Sequence, residues 1–303
     1  MVTDPLLRIA DALDRIAPPP PPAADLAGGD TFVFDRSALR AVVAPPAQPL
    51  ARFVAVDAQR DALLANLHRH AAGAAAHDVL LWGARGMGKS SLVRSVHAAI
   101  VAGGTDSSGA AGGTDSRGAA GGTDSRGTAG GTGLALVQVA RDDLAALPAL
   151  FRTLAVSTRR FVVYADDVSF EADERQYKAL RSVLDGGIEA RPDNVRLVVT
   201  SNRRHLVARE HADTEAASAV NARDVLDDRL ALADRFGLSL GFHNADQASY
   251  LAMVAGYAAA HGLAFTDADA LAWAAARGHR SGRVAWQFAT ELAGRVGYPI
   301  RPR

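Results

Sequence analysis

The chain of 303 residues carries 33 basic and 33 acidic side chains and a formal charge of zero, so no global charge draws it to nucleic acid or to an anionic membrane surface, although a local basic groove fits within a balanced total. It has no cysteine, which excludes disulfides, thiolate metal sites and a cysteine nucleophile and fits a reducing compartment. Its apolar and charged shares suit one large soluble domain, or a core with a small second domain.

In chain order, Leu6, Leu7, Ile9, Ala10, Leu13 and Ile16 recur at helical spacing and predict a short amphipathic helix that stops before the stiff proline run Pro18–Pro22. Asp4, Asp11 and Asp14 sit among those apolar residues, unlike the basic-then-apolar order of a signal peptide. No later segment runs long enough without charge to span a bilayer, so the expected location is cytoplasmic, with no membrane partner. The pattern from Thr31 to Leu50 is mixed, and residues 1–50 read as an N-terminal extension. A helix with Leu63, Leu64 and Leu67 leads into a first strand at Val79–Trp82, followed by a helix over Ser91–Ile100.

Between Ala102 and Gly133 the unit Ala-Gly-Gly-Thr-Asp-Ser-Arg-Gly-Ala recurs with small changes. It offers almost nothing to bury, so residues 102–133 read as a disordered loop inserted between a helix and the next strand. Strands are then expected at Leu134–Val139, Phe161–Ala165, Val195–Ser201 and Leu238–Leu240, with helices through Leu147, Leu150 and Leu154 and over Tyr177–Leu184. That alternation implies parallel strands with crossover helices, an α/β sheet covered on both faces. After Phe242 the strands stop. Asn244 with Gln247 and Thr266 with Asp269 open two alanine-rich helices, and Val284–Val296 reads as a third. The expected division is an extension at 1–50, a core at 51–241 and a helical domain at 242–303.

Gly83-Ala84-Arg85-Gly86-Met87-Gly88-Lys89-Ser90 is a complete G-x-x-x-x-G-K-S between a strand and a helix, the context in which this pattern binds phosphate. Lysine is scarce, only Lys89 and Lys178, so chance does not readily supply the motif. Its glycines let the backbone turn tightly and aim N–H groups at phosphate oxygens, and the helix N-terminus, beginning with Ser91, adds positive potential. Lys89 is expected to reach the β- and γ-phosphates of a nucleoside triphosphate, ATP above others, and the Ser90 hydroxyl to hold Mg²⁺. Phe161–Asp167 is an apolar strand ending in two carboxylates, with Asp166 on the metal side and Asp167 orienting or deprotonating water; Glu171 is the competing base. Asn202 ends the next strand with an amide suited to the γ-phosphate or the attacking water. Arg235 stands just before the last strand, where a guanidinium can serve a neighbouring subunit's site, with Arg229 as the alternative. Arg283, ahead of Arg280, opens the last helix and can point back at the phosphates. The nine histidines show no H-x-x-x-H spacing, and no transition-metal site is expected.

In this order the five elements resemble the AAA+ ATPases: Walker A at Gly83–Ser90, Walker B at Phe161–Asp167, sensor 1 at Asn202, an arginine-finger box at Asp234-Arg235-Phe236-Gly237 and sensor 2 at Arg283. Leu80–Ser91, Asp166–Phe170, Gly186–Pro192 and Thr200–Leu206 are more narrowly similar to a bacterial AAA+-type family catalogued as domain of unknown function 815, from about Val54 to the C-terminus apart from the repeat. The resemblance implies a parallel five-stranded sheet with flanking helices and a helical lid, nucleotide between them, and a homo-oligomeric ring in which Arg235 completes a neighbour's site. Asp167 departs from the glutamate usual in AAA+ proteins, which bears on hydrolysis and not on binding.

Three functions follow. The first is an ATPase that moves lid against core to remodel a macromolecular partner, protein or nucleic acid. The second is a nucleotide-dependent binding switch with little turnover, and the third a small-molecule kinase, for which no acceptor motif is present.

Overall fold

The computed structural model describes residues 25–35, 38–106, 133–168, 174–186, 191–202 and 232–300. Its strands are β1 (Thr31–Asp35), β2 (Ala38–Ala41), β3 (Val79–Gly83), β4 (Leu134–Val139), β5 (Arg160–Ala165), β6 (Val195–Ser201) and β7 (Leu238–Phe242). The helices are α1 (Asp57–Ala71), α2 (Lys89–Asp106), α3 (Leu147–Ala155), α4 (Glu174–Leu184), α5 (Gln247–His261), α6 (Asp267–Ala276) and α7 (Gly282–Arg295).

Among the described residues one sheet of seven strands runs in the order β2-β1-β4-β5-β6-β3-β7, so the five-stranded expectation is corrected in its strand number. The five parallel strands are β4, β5, β6, β3 and β7, and β1 adds to them parallel to β4, with β2 antiparallel at the edge. The β1 segment Thr-Phe-Val-Phe-Asp is short, and its partner β4 lies about a hundred positions later in the register Thr31↔Leu136 to Phe34↔Val139. A pattern search along the chain has no access to a partner so distant.

Strand side chains alternate between two cores. Val79, Leu81, Leu136, Val162, Tyr164 and Val198 face a layer containing Leu63 and Leu67 of α1 and Leu92, Val93 and Val96 of α2. Leu80, Val137, Phe161, Val163, Leu197 and Val199 face Leu150, Phe151 and Leu154 of α3 and Leu180 of α4. Near-continuous apolar strands follow from this double burial. Helices α5 to α7 pack through Tyr250, Val254, Ala274 and Phe288 into the first of these layers. Their caps are specific: Asp246 accepts from the Ser249 N–H, Thr266 from Asp269 and Ser281 from Val284. The first of these differs from the sequence expectation, which placed the cap at Asn244. Helix α2 also runs six residues past Ile100, through the first five residues of the repeat, because extending a formed helix adds a hydrogen bond per residue fixed.

Candidate functional site

Strands β5, β6 and β3 are neighbours, so their C-terminal ends, carrying Asp166-Asp167, Asn202 and the glycine loop, converge on one edge. The loop after β3 is shaped by glycine. Gly83, Gly86 and Gly88 have φ of +118°, +76° and +88°, a region closed to most L-residues. A Cβ on Gly83 would lie 2.2 Å from the Phe242 carbonyl oxygen, and the Ala84 N–H donates to that same oxygen at 2.7 Å. The turn is thereby tied to β7, and its concave backbone opens at the N-terminus of α2, the geometry of an anion nest.

Lys89 opens α2 with its side chain buried. Its Nζ donates to the carbonyls of Gly83 and Ala84, each at 2.9 Å, and to Asn202 Oδ1 at 3.0 Å, which uses all three ammonium donors. Burial pushes its pKa down to about 8, against the pull of Asp167 and Asp166. Asn202 completes a chain by donating through Nδ2 to Asp167 Oδ1.

A second cluster lies beside it. Ser90 Oγ and Thr200 Oγ1 both donate to Asp166 Oδ1 at 2.6 Å. Burial pushes the Asp166 carboxyl up, but these hydroxyl bonds outweigh it and hold the group below the usual carboxylate range. Thr200 Oγ1 also accepts from the Asp167 N–H at 2.8 Å, and Asp167 itself sits at φ +53°. Arg141, just beyond β4, donates to the Asp167 carbonyl at 3.2 Å and stands 3.8 Å from its carboxylate.

These groups form the floor of a cleft of about 460 Å³ between core and lid, lined by Gly86 to Ser91, Asp166, Asp167, Asn202 and Arg283. Arg283 arrives from the lid, and its backbone N–H donates to Gly86 O at 3.0 Å. Gly83 and Ala84 lie behind the cleft wall and act on it through their carbonyls to Lys89. Arg85 is exposed and outside the lining. Arg235 is not brought in: its guanidinium pairs with Asp185 at the end of α4. Arg229 and Glu171 fall outside the described residues.

Four parts of the site escaped the sequence reading. Thr200 had a usable signal, a hydroxyl two residues before Asn202 and hence on the same strand face. Arg94 lines the cleft one helical turn after Ser90, a position legible from the i, i+4 rule. Arg141 had none. Neither had the apolar mouth, lined by Phe53, Val54 and Val56 together with Met253, Tyr257 and Trp286 from segments some two hundred residues apart.

The family model described as protein of unknown function (DUF815) matches residues 29–106 and 120–296. The chain belongs to this family. Its fold is that of the AAA+ P-loop ATPases. No curated protein sequence matches the chain. Among solved structures, the Aeropyrum pernix Orc1 protein in complex with DNA aligns with TM-score 0.52 and 15% identity over 84% of this chain and 67% of that one. The Thermotoga maritima RuvB Holliday junction branch migration motor aligns with TM-score 0.47 and 17% identity, covering 82% of this chain and 66% of its own. The FIGL-1 AAA domain in complex with ADP gives the same TM-score and identity over 84% and 76%. Identities this low speak to fold alone. The chain spans about two thirds of the RuvB length.

Proposed function

We propose that this protein binds ATP with Mg²⁺ in the cleft between core and lid and hydrolyses it, moving lid against core to remodel a macromolecular partner. The observation that carries the reading is the pair of linked clusters on the cleft floor, Lys89–Asn202–Asp167 and Ser90–Asp166–Thr200. They hold a cation, an amide, two hydroxyls and two carboxylates where a triphosphate entering the glycine nest would end.

The donor set fits a magnesium ion. Ser90 and Asp166 offer hard oxygen ligands already in contact, Asp166 is held ionised, and one or two carboxylates beside phosphate oxygens is how this ion is usually held. When bound, Mg²⁺ neutralises charge on the phosphates. In this reading Lys89 exchanges its carbonyl partners for phosphate oxygens, and Gly86 to Ser91 wrap the phosphates with their N–H groups. Asp167 orients and deprotonates the attacking water, Asn202 reports the γ-phosphate to Lys89 and Asp167, and Arg283 links the phosphates to the lid. Arg235, exposed outside its own cleft, serves the site of a neighbouring copy in a ring. Residues 242–303 act as the lid and 51–241 as the core, with 1–50 as an extension that lends its last part to the sheet. Among the described residues no helix is long and apolar enough to cross a membrane, which is compatible with a cytoplasmic location.

A second reading, a nucleotide-dependent switch with little turnover, is favoured by one observation: the short Asp167 side chain is engaged by Asn202 and faced by Arg141. Steady-state hydrolysis of Mg-ATP across a protein concentration series separates the two. Turnover that rises with concentration and drops at least about a hundredfold in Lys89→Ala, Asp167→Asn and Arg235→Ala is the expected result. Tight ATP binding with no turnover at any concentration selects the switch, and no binding at all sinks both.

A further inference from the structure

Tyr164 stands two residues before Asp166 on β5, with its ring buried in the apolar layer that also holds Leu92, Val93 and Val96 of α2. Its hydroxyl lies within interaction range of Asp166, Ser90 and Thr200, yet no protein atom meets it at hydrogen-bonding geometry. The neighbours explain why. Asp166 Oδ1 accepts from Ser90 Oγ and Thr200 Oγ1, each at 2.6 Å, and two hydroxyls occupy both lone pairs of one carboxylate oxygen. A buried phenol left in this way costs free energy that a phenylalanine of the same shape does not, so its presence beside ionisable groups points to a partner in another state of the site. The two hydroxyls that hold Oδ1 differ. Thr200 is also tied to the Asp167 N–H at 2.8 Å, whereas Ser90 lines the cleft, where an entering ligand meets it.

We propose that the Tyr164 hydroxyl is a positioning group for the metal side of the site, donating to Asp166 Oδ1 when Mg²⁺ with a nucleoside triphosphate engages Ser90. The inference rests on the reading of the cleft as a Mg-nucleotide site. A ligand that draws the Ser90 hydroxyl aside opens one lone pair on Oδ1, and Tyr164 is the buried donor within reach of it. The exchange keeps the Asp166 carboxylate paired on the side of the core while its cleft side serves the ligand. It also satisfies the phenol only with the ligand in place, which favours the bound state over the free one. Removing the hydroxyl therefore weakens binding of the metal complex. Binding of nucleotide alone, which does not need Ser90 to turn, stays largely unchanged.

A fluorescent ATP analogue, titrated with Mg²⁺ and again with excess EDTA, tests this in wild type and Tyr164→Phe. The expected result is affinity about tenfold weaker in the variant with Mg²⁺ and within about twofold of wild type in EDTA. A loss of equal size in both conditions marks a merely structural role and overturns the proposal, as does no loss with Mg²⁺. Thermal unfolding without nucleotide supplies an independent check, because Ser90→Ala opens the Oδ1 lone pair with no ligand needed. In that background Tyr164→Phe should lower the melting temperature by about 3–6 °C, and in the wild-type background leave it unchanged or raised. Equal effects in the two backgrounds overturn the proposal too. A wild type that binds no Mg-ATP sinks the reading of the cleft and this inference with it, whereas a wild type that binds it no better than Tyr164→Phe sinks this inference alone.

Discussion

Lys89 joins two requirements that oppose each other: in the proposed function it is an ammonium that holds phosphate, yet burial in the cleft lowers its pKa to about 8. Between that value and the 10.5 of a free lysine, the unfolded chain keeps a proton that the folded chain has lost. This group's contribution to folding stability therefore increases with pH across that window, while its attraction for an anion falls. Titration with a fluorescent ATP analogue should show affinity about tenfold weaker at pH 9 than at pH 7; a flat profile would mean that Lys89 does not meet the phosphates as an ammonium. Thr200 is the second residue on which the site turns. Its buried hydroxyl bonds Asp166 and the Asp167 N–H together, and Thr200→Val leaves that N–H and one carboxylate lone pair without a partner. Urea unfolding should show a loss of about 1–3 kcal/mol, with hydrolysis reduced more than ATP binding.

Among the elements, the contact between the glycine loop and α7 sets the cleft. Gly86 has φ +76°, and a Cβ there would come within 2.9 Å of Ser281 Oγ and 3.0 Å of Arg283 Cβ. Gly86→Ala therefore combines backbone strain of about 1–2 kcal/mol with displacement of the residue that caps α7. Nucleotide affinity should fall by about tenfold or more with the far-ultraviolet spectrum unchanged. Full affinity in this variant would show that the loop and the lid are not coupled. The regular elements were largely legible, since strands buried on both faces and helices with a Thr266-type cap leave marks in the local sequence. The edge pair β1 and β2 was not: both strands are short, and pairing with β4 gives them their identity.

For the whole molecule, the repeat is the part whose removal should matter least. Residues 107–119 fall between the two stretches matched by the family model, and the described chain leaves α2 at Asp106 and resumes just before β4 at Leu134. Replacing residues 107–132 with a six-residue Gly-Ser linker should leave the melting temperature within a few degrees and ATP binding intact, because loop-closure entropy changes slowly with loop length. A collapse of either would show that the repeat carries contacts of its own.

The sequence by itself determined the glycine loop, both strand-end carboxylates and the terminal amide, because each is a local signal: glycines at fixed offsets, a lysine directly after them, polar residues ending apolar strands. Only tertiary structure decided that Arg141 reaches Asp167, that Thr200 joins the Asp166 carboxylate to the Asp167 N–H, that Arg235 pairs with Asp185 outside the cleft, and that Phe53 and Tyr257 line its mouth together. Such pairings join residues far apart in the chain, and which of them form depends on strand order and helix packing.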